Sequence, residues 1–288
     1  MQKFFTYQGE EIYAHHVRDE KPNVTDFYMQ IHDTHELFYF ISGRGVFFVE
    51  SKPYRLYPGC VMLIRAGEVH SIQVDPELPY ERMVFNISPE FLRKIDPNDV
   101  LVNAYLNRSI GQHNLYEPDM FNADLINKCF RNISDLMSEI PDEQKSLLIL
   151  SYVAPILFEM HRVFDFHSKN QTAKKGTKDN IANKLVNYIN VHLCENFTLE
   201  TLSDEFFASK TYLNKEFKQV TGSNIWEYVV VKRLTLARQH IRGGMSAGDA
   251  AAVSGWNDYS AFYRSYKSHF NMSPSEEKAN QNFASLYE

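Results

Sequence analysis

Residues 199–270 hold two copies of one short pattern, and this duplication limits the fold of the chain more than any other feature. Leu213, Lys215, Phe217 and Lys218 fall onto Phe262, Arg264, Tyr266 and Lys267 at an offset of 49 residues, and Leu202-Ser203 falls onto Ala250-Ala251 at an offset of 48. Each copy predicts a short helix, a tight turn and a second helix. The turns are Phe207-Ala208 and Gly255-Trp256-Asn257, the second copy carrying one residue more.

Taken at about 100° per residue, the second helix of each copy has two faces. Leu213, Phe217 and Val220 share one side of the first; Thr211, Asn214, Lys215 and Lys218 lie opposite. In the second copy Phe262, Tyr266 and His269 share a face, with Ser260, Tyr263, Arg264 and Lys267 turned away. A solvated helix face has a similar composition. Two such faces in register favour double-stranded DNA instead, because Lys and Arg neutralise phosphates, and Arg and Asn can grip guanine and adenine edges. Lys210, Asn257 and Tyr259 flank these helices and complete the candidate DNA-contact set.

Between the copies, Asn224 to about Arg242 predicts one continuous helix. Its nineteen residues span about 28 Å, against about 34 Å between successive major grooves on one face of DNA. A strut of that length could present both second helices to neighbouring grooves. Thr198 is a candidate N-cap, with Thr201 completing no capping box. Asn180 to Glu195 predicts a further helix with Ile181, Leu185, Tyr188 and Ile189 on one side.

The front of the chain has a different period. Leu37–Ile41, Val46–Val49, Cys60–Ile64, Val69–Val74 and Tyr80–Ile87 are apolar runs of strand length with Gly or Pro turn signals between them. The first two, joined by Ser42-Gly43-Arg44-Gly45, predict a hairpin. The set predicts a small β-barrel or sandwich. After about residue 120 helical spacing returns, over Phe121–Ile140 and Glu143 to about Phe166, with Pro155 as a kink point. These two helices must pack on the barrel or on a second copy of the chain. His167–Asp179 has no large aliphatic residue and predicts a linker.

At 288 residues the chain suits two domains, and 44% hydrophobic residues exclude wholesale disorder. The formal charge of -6 hides an asymmetry: residues 1–168 carry 15 Lys and Arg against 24 Asp and Glu, whereas residues 169–288 carry 15 against 12. An acidic front repels polyanions and a mildly basic back does not. Three Cys without a CxxC spacing predict buried free thiols in a reducing compartment. The N-terminus lacks a signal-peptide pattern, and the longest near-apolar run, Leu147–Phe158, is too short to span a bilayer. A cytoplasmic protein without a membrane partner is expected.

The stretches TLETLSDEFFASKTYLNKEFKQVTG, VVVKRLTLARQHI and GWNDYSAFYRSYKSHFNMSP resemble the AraC family of bacterial transcription regulators over about 105 C-terminal residues. The family pattern falls on Gly255, Trp256, Asp258, Ser260, Phe262, Arg264, Tyr266 and Lys267, with Ser273-Pro274 after it and Arg233 and Ala237 in the connecting helix. Trp256 and Tyr266 stand where the family has Phe; Ala247 and Ala250 replace Ile and imply a smaller core in the second unit. The front half, from Met29 through Ile72, is similar to the family's cupin-type effector domain.

The resemblance implies an α+β two-domain protein. Residues 1–168 form a cupin-like β-barrel with accessory helices that binds effector and dimerises, 169–179 a linker, and 180–288 an all-α domain of two helix-turn-helix units. The expected function is sequence-specific DNA binding, as an activator responding to a small-molecule effector such as a carbohydrate. A homodimer is expected, and RNA polymerase is a further candidate partner. The cupin ligand positions fall on Gln30, His32, Glu36 and His70. Gln30 removes one imidazole. His35 cannot join Glu36, since neighbouring strand residues face opposite ways. His32, Glu36 and His70 are thus the candidate effector-binding residues, expected to hold no metal or other cofactor. Two readings remain beside that one: a two-His-one-carboxylate metal site in a cupin enzyme, and histidines that merely satisfy buried backbone groups. No nucleophile elbow, phosphate-binding Gly loop or HExxH helix is present, so no enzyme is expected.

Overall fold

The computed structural model describes residues 1–22, 30–50, 52–170, 181–221 and 223–279. Its front domain begins with β1 (Gln2–Gln8), β2 (Ile12–Asp19), β3 (His35–Ser42), β4 (Gly45–Val49), β5 (Lys52–Leu56), β6 (Val61–Ile64), β7 (His70–Val74) and β8 (Tyr80–Ile87). Helices α1 (Pro89–Ile95) and α2 (Asn103–Leu106), strand β9 (Leu115–Tyr116), and helices α3 (Ala123–Leu136) and α4 (Asp142–Asn170) follow. Two antiparallel sheets result, ordered β1-β2-β8-β3-β6-β9 and β5-β4-β7. They face each other as a sandwich rather than closing into a barrel.

The continuous apolar run of β3 has a direct cause. Leu37 and Tyr39 point into a core shared with α3 and α4, while Phe38 and Phe40 point into the core between the sheets. On β6, Val61 and Leu63 divide from Met62 and Ile64 in the same way. Strands covered on both faces lose the polar alternation that one wet face imposes.

The hairpin expected between residues 37–41 and 46–49 does not form. β3 pairs with β6 and β8, whereas β4 pairs with β5 and β7 in the other sheet. The Ser42–Arg44 connection carries the chain across the sandwich. Gly43 adopts φ +119° there, and a Cβ would come 2.8 Å from the Pro79 carbonyl. Two apolar runs with a glycine turn specify proximity, not pairing. The polar strands β1, β2 and β5 escaped the apolar-run criterion.

The expected helices differ at their ends. Phe121–Ile140 contracts to α3, which Asn122 caps by accepting from the Leu125 amide. Glu143–Phe166 grows into α4, with Pro155 inside it. By length and composition its Asp142–His167 stretch could cross a membrane. Here Ile149, Val153, Ile156, Leu157 and Met160 are buried in the domain core. α4 takes in residues 169 and 170 of the expected linker; the rest of it, Asn180 and Met29 lie outside the described residues.

The second domain holds α5 (Ile181–Val191), α6 (Leu199–Glu205), α7 (Lys210–Thr221), α8 (Ile225–Arg242), α9 (Ala247–Val253), α10 (Tyr259–Phe270) and α11 (Pro274–Ala279). α5 ends at Val191 rather than Glu195. Thr198 caps α6, and Thr201 does close the capping box: its hydroxyl accepts from the Thr198 amide at 3.2 Å, as Glu or Gln does elsewhere. α6 and α9 are offset by 48 residues, α7 and α10 by 49, so the extra residue lies in the second turn. At matching places in the two turns, Phe207 in the first and Gly255 in the second have positive φ, 49° and 83°.

α8 is common to both units. Ile225, Tyr228 and Val229 join Leu202, Leu213 and Phe217 in one core; Leu234, Ala237 and Ile241 join Ala250, Ala251, Phe262 and Tyr266 in the other. Val69 of the front domain is buried in the first of these cores, with Ile31 packed against it. Cys60 and Cys129 are buried; Cys194, in the turn after α5, is exposed, contrary to expectation.

Candidate DNA-contacting face and effector site

Gly255, Asp258, Phe262, Tyr266 and Ser273 of the second-unit motif, and Arg233 of α8, each have a local structural task. Gly255 makes a turn where a Cβ would lie 2.9 Å from the Cys194 Cα. Asp258 caps α10 by accepting from the Ser260 amide at 2.8 Å. Phe262 and Tyr266 are fully buried. Ser273 accepts from the Glu276 amide at 3.2 Å and starts α11 at Pro274. Arg233 donates to the carbonyls of Leu193 and Glu195 at 2.8 and 2.7 Å, tying α8 to the segment before α6.

The outward faces agree with the helical-wheel reading. Lys210, Thr211, Lys215 and Lys218 are exposed on α7, and Tyr259, Ser260, Tyr263, Arg264 and Lys267 on α10, with Asn257 just before it. Among the described residues Lys215 and Arg264 make no ion pair, whereas Lys210 pairs with Glu200. Asn214 is half-buried and occupied within the protein. Its amide nitrogen donates to the Lys210 carbonyl at 3.1 Å, and its oxygen accepts from the Ile225 amide at 3.0 Å. His269, assigned to the inward face, is exposed; Phe270 takes that side.

His32, Glu36 and His70 do come together, at the end of the sandwich nearest the helical domain. Glu36 points between the sheets like Phe38 and Phe40, from β3. His35 points the other way, stacked on Tyr105 at 4.6 Å, as the strand alternation requires. His32 Nδ1 donates to the Thr34 carbonyl at 3.0 Å, and its Nε2 meets Glu36 Oε2 at 2.9 Å. His70 Nδ1 donates to the Glu68 carbonyl at 3.0 Å; its Nε2 stands 3.8 Å from the same Oε2 and has no hydrogen bond among the described residues. All three side chains are buried.

Burial is the largest influence and opposes charge on His32, but the bond and charge of Glu36, with the Thr34 carbonyl and Asp33, together outweigh it and hold the imidazole above its usual pKa. Burial likewise opposes ionised Glu36, and the bond from His32 with the neighbouring His70 and His15 together outweigh it and lower its pKa. His70 is lowered, mainly by burial. His32 meets an acceptor at each ring nitrogen, the geometry of an imidazolium paired with the Glu36 carboxylate, and His70 beside it donates through Nδ1 and leaves Nε2 unused among the described residues. The site's three ligating atoms lie within 4.8 Å of one another, a set that could also hold a transition metal.

Two family models match the chain: an AraC-like ligand binding domain over residues 17–110 and a helix-turn-helix domain over residues 202–280. Together they cover well over half of it. The chain belongs to the AraC family of transcription regulators. Among curated AraC-family relatives, the transcriptional activator RhaS of Shigella sonnei is 21% identical over 250 residues, 86% of each chain. The uncharacterised regulator YdiP of Escherichia coli K12 is 23% identical, covering 85% of this chain and 79% of its own. The probable transcription factor PqrA of Proteus vulgaris is 29% identical over 105 residues, 35% of this chain and 86% of its own. Among solved structures, ToxT from Vibrio cholerae O395 aligns over 96% of this chain and all of its own, at 16% identity and a TM-score of 0.37.

This AraC-family regulator thus carries a ligand-binding domain and a helix-turn-helix domain, and the two meet through buried polar contacts. Glu50, at the β4–β5 turn, accepts from the Val69 amide at 3.1 Å, from Lys232 Nζ at 2.8 Å and from the Tyr228 hydroxyl. Asp33 accepts from Arg242 at 2.9 Å, and Arg242 also pairs with Glu277. The sequence reading missed this interface. Lys232 and Arg242 stand on α8 among other polar residues, and no local pattern marks them as partners of the front domain.

Proposed function

We propose that the chain is an effector-responsive regulator in which α7 and α10 read two successive major grooves of one DNA duplex. The observation that carries this reading is the repetition of exposed cations over buried aromatics. Lys215 and Lys218 stand over Leu213 and Phe217; Arg264 and Lys267 stand over Phe262 and Tyr266. α8 has eighteen residues, about 27 Å, and separates the two helices by roughly the spacing the grooves require. Lys210, Thr211, Asn257, Tyr259, Ser260 and Tyr263 extend the contact face, and Asn214 supports it from behind. Gel shifts on the promoter DNA test this: the Lys215→Ala/Arg264→Ala double variant loses binding, and undiminished binding defeats the contact assignment.

In this reading residues 1–168 form the effector domain and residues 180–288 the DNA-binding domain. The effector is a carbohydrate, hydrogen-bonded by His32, Glu36 and His70, whose unused Nε2 offers an acceptor. Leu147, Phe158 and Phe166 of α4 and Leu125 of α3 are exposed and form the homodimer contact. The protein acts in the cytoplasm as an activator working with RNA polymerase, and it is not an enzyme. The clustering of two imidazoles and a carboxylate within 4.8 Å favours one second reading, a metal-dependent cupin enzyme. Metal analysis separates the two.

A further inference from the structure

A cleft of about 480 Å³ lies between the two domains, and none of His32, Glu36 and His70 lines it. The front domain lines it with Asp33, His35, Arg65, Ser88 and Arg93 among others; the C-terminal turn of α8, with Gln239, His240 and Arg242, and Met245 just after it close the other side. Its size falls within the range of about 300–1,000 Å³ usual for small-molecule sites.

The charges around it are unbalanced on one wall. Arg242 is committed to Asp33 and Glu277. Arg93 is exposed and makes no ion pair among the described residues. Arg65 is half-buried, and its side chain makes one long bond, 3.4 Å, to the Leu106 carbonyl. His35 is neutral and adds no charge of its own: burial first, then Arg65 and further guanidiniums, hold its pKa down to about 3. The carboxylate of Glu90 is exposed and accepts from the Ser88 hydroxyl at 3.3 Å. The opposite wall differs. The C-terminal end of α8 carries the negative end of the helix dipole, and Asp33 lies beside it, so that wall suits hydrogen-bond donors.

We infer that this cleft binds a small hydroxylated acid, its phosphate or carboxylate on Arg65 and Arg93 and its hydroxyls toward Asp33 and the end of α8. Guanidiniums pair acidic groups in a fixed, often bidentate geometry. Because both domains line the cleft, the ligand binds tightly only to this arrangement of them, and bound ligand stabilises it against others. The site is distinct from the carbohydrate site proposed above and does not depend on it.

Calorimetry and thermal shift on the full chain, at constant ionic strength, test this with millimolar glucose 6-phosphate, gluconate, inorganic phosphate and uncharged glucose. One-to-one binding and a raised melting temperature are expected with glucose 6-phosphate or gluconate, the stronger of the two naming the acidic group; inorganic phosphate binds more weakly and glucose does not bind here. Arg65→Gln/Arg93→Gln, and Arg93→Gln alone since that side chain is exposed, weaken binding about tenfold or more, roughly 1.4 kcal/mol. Arg55→Gln, outside the cleft, leaves it unchanged. The inference is overturned if none of the acids binds, or if the cleft variants bind them as wild type does. DNA binding measured on the same proteins separates the cases: its persistence without acid binding removes the cleft assignment and leaves the regulator reading standing.

Discussion

The carboxylate of Glu50, in the ligand-binding domain, pairs with the ammonium of Lys232, in the helix that unites the two DNA-reading units, at 2.8 Å. Both side chains are buried. Burial raises the Glu50 pKa, and Lys232 opposes that rise. Removing one partner of such a pair leaves an uncompensated charge, at a cost of about 3–5 kcal/mol. Glu50→Ala is expected to lower unfolding stability by about 3 kcal/mol, and Glu50→Ala/Lys232→Met to recover most of that loss. Denaturant unfolding of the two single variants and the double gives the coupling; additive effects would mean the pair does not hold the domains together.

Single substitutions on the outward faces are separable by salt. Loss of one phosphate contact lowers the slope of log affinity against log salt by about 1. Lys215→Ala and Lys218→Ala are expected to do this uniformly across DNA sequences. Arg264→Ala should also relax preference at one base pair if it grips guanine, at about 1–3 kcal/mol. Asn214→Ala should instead lower thermal stability, because its amide bridges α7 and the start of α8. A base-specific affinity change with unchanged stability would reverse that assignment.

The two turns predict opposite responses to mutation. Gly255→Ala places a Cβ 2.9 Å from Cys194 and 3.0 Å from Arg233 at φ +83°, and a loss of about 1–3 kcal/mol is expected. Phe207 holds the corresponding place at φ 49° and is 96% exposed. Phe207→Gly should be within about 1 kcal/mol of neutral, relief of left-handed strain being offset by chain entropy. Thermal melts of both variants decide the matter.

Buried imidazoles set the pH dependence. Burial, with Arg82 beside His15 and Arg65 beside His35, holds both pKa values down from 6.5 to about 3. Their folded values lie below the unfolded one. Their contribution is complete above about pH 6.5 and is lost as pH falls toward 3, by roughly 2 kcal/mol each at about pH 5. His70, also lowered mainly by burial, adds a loss in the same direction. His32, with its pKa raised, opposes them: its contribution is complete below about pH 6.5 and fades as pH rises through its folded value. The sum is a protein less stable at about pH 5 than at about pH 7.5. Equal urea midpoints at the two pH values would mean the imidazoles are not held neutral.

The His32–Glu36 bond also bears on metal content. Protein purified without chelator is expected to carry no stoichiometric transition metal, because the carboxylate is already satisfied by the imidazolium. A full equivalent of iron, manganese or zinc on elemental analysis would instead favour the cupin-enzyme reading.

Much of the helical domain was legible because its chemistry is local. The offset between Leu213 and Phe262, the cap at Thr198 and the turn at Gly255 are readable within one helix and its neighbours. The strand partners of Phe38 and Phe47 were not, since apolar runs covered on both faces carry no mark of which sheet they join. The same limit hid the domain interface. Glu50 and Lys232 are 182 positions apart, and nothing local distinguishes a buried lysine that has found a distant carboxylate from one in water. The His32–Glu36–His70 cluster became legible through the family resemblance, not through spacing.

Val69 has a structural consequence for dissection of the protein. A protease nicking the segment between α4 and α5 would not simply liberate two independent modules. The helical fragment would lack the aliphatic plug that Val69 and Ile31 supply and would expose a greasy notch beside Leu185 and Tyr228. The nicked halves should therefore stay associated and co-elute, and an isolated C-terminal fragment should need a compensating polar substitution at that notch to remain monodisperse.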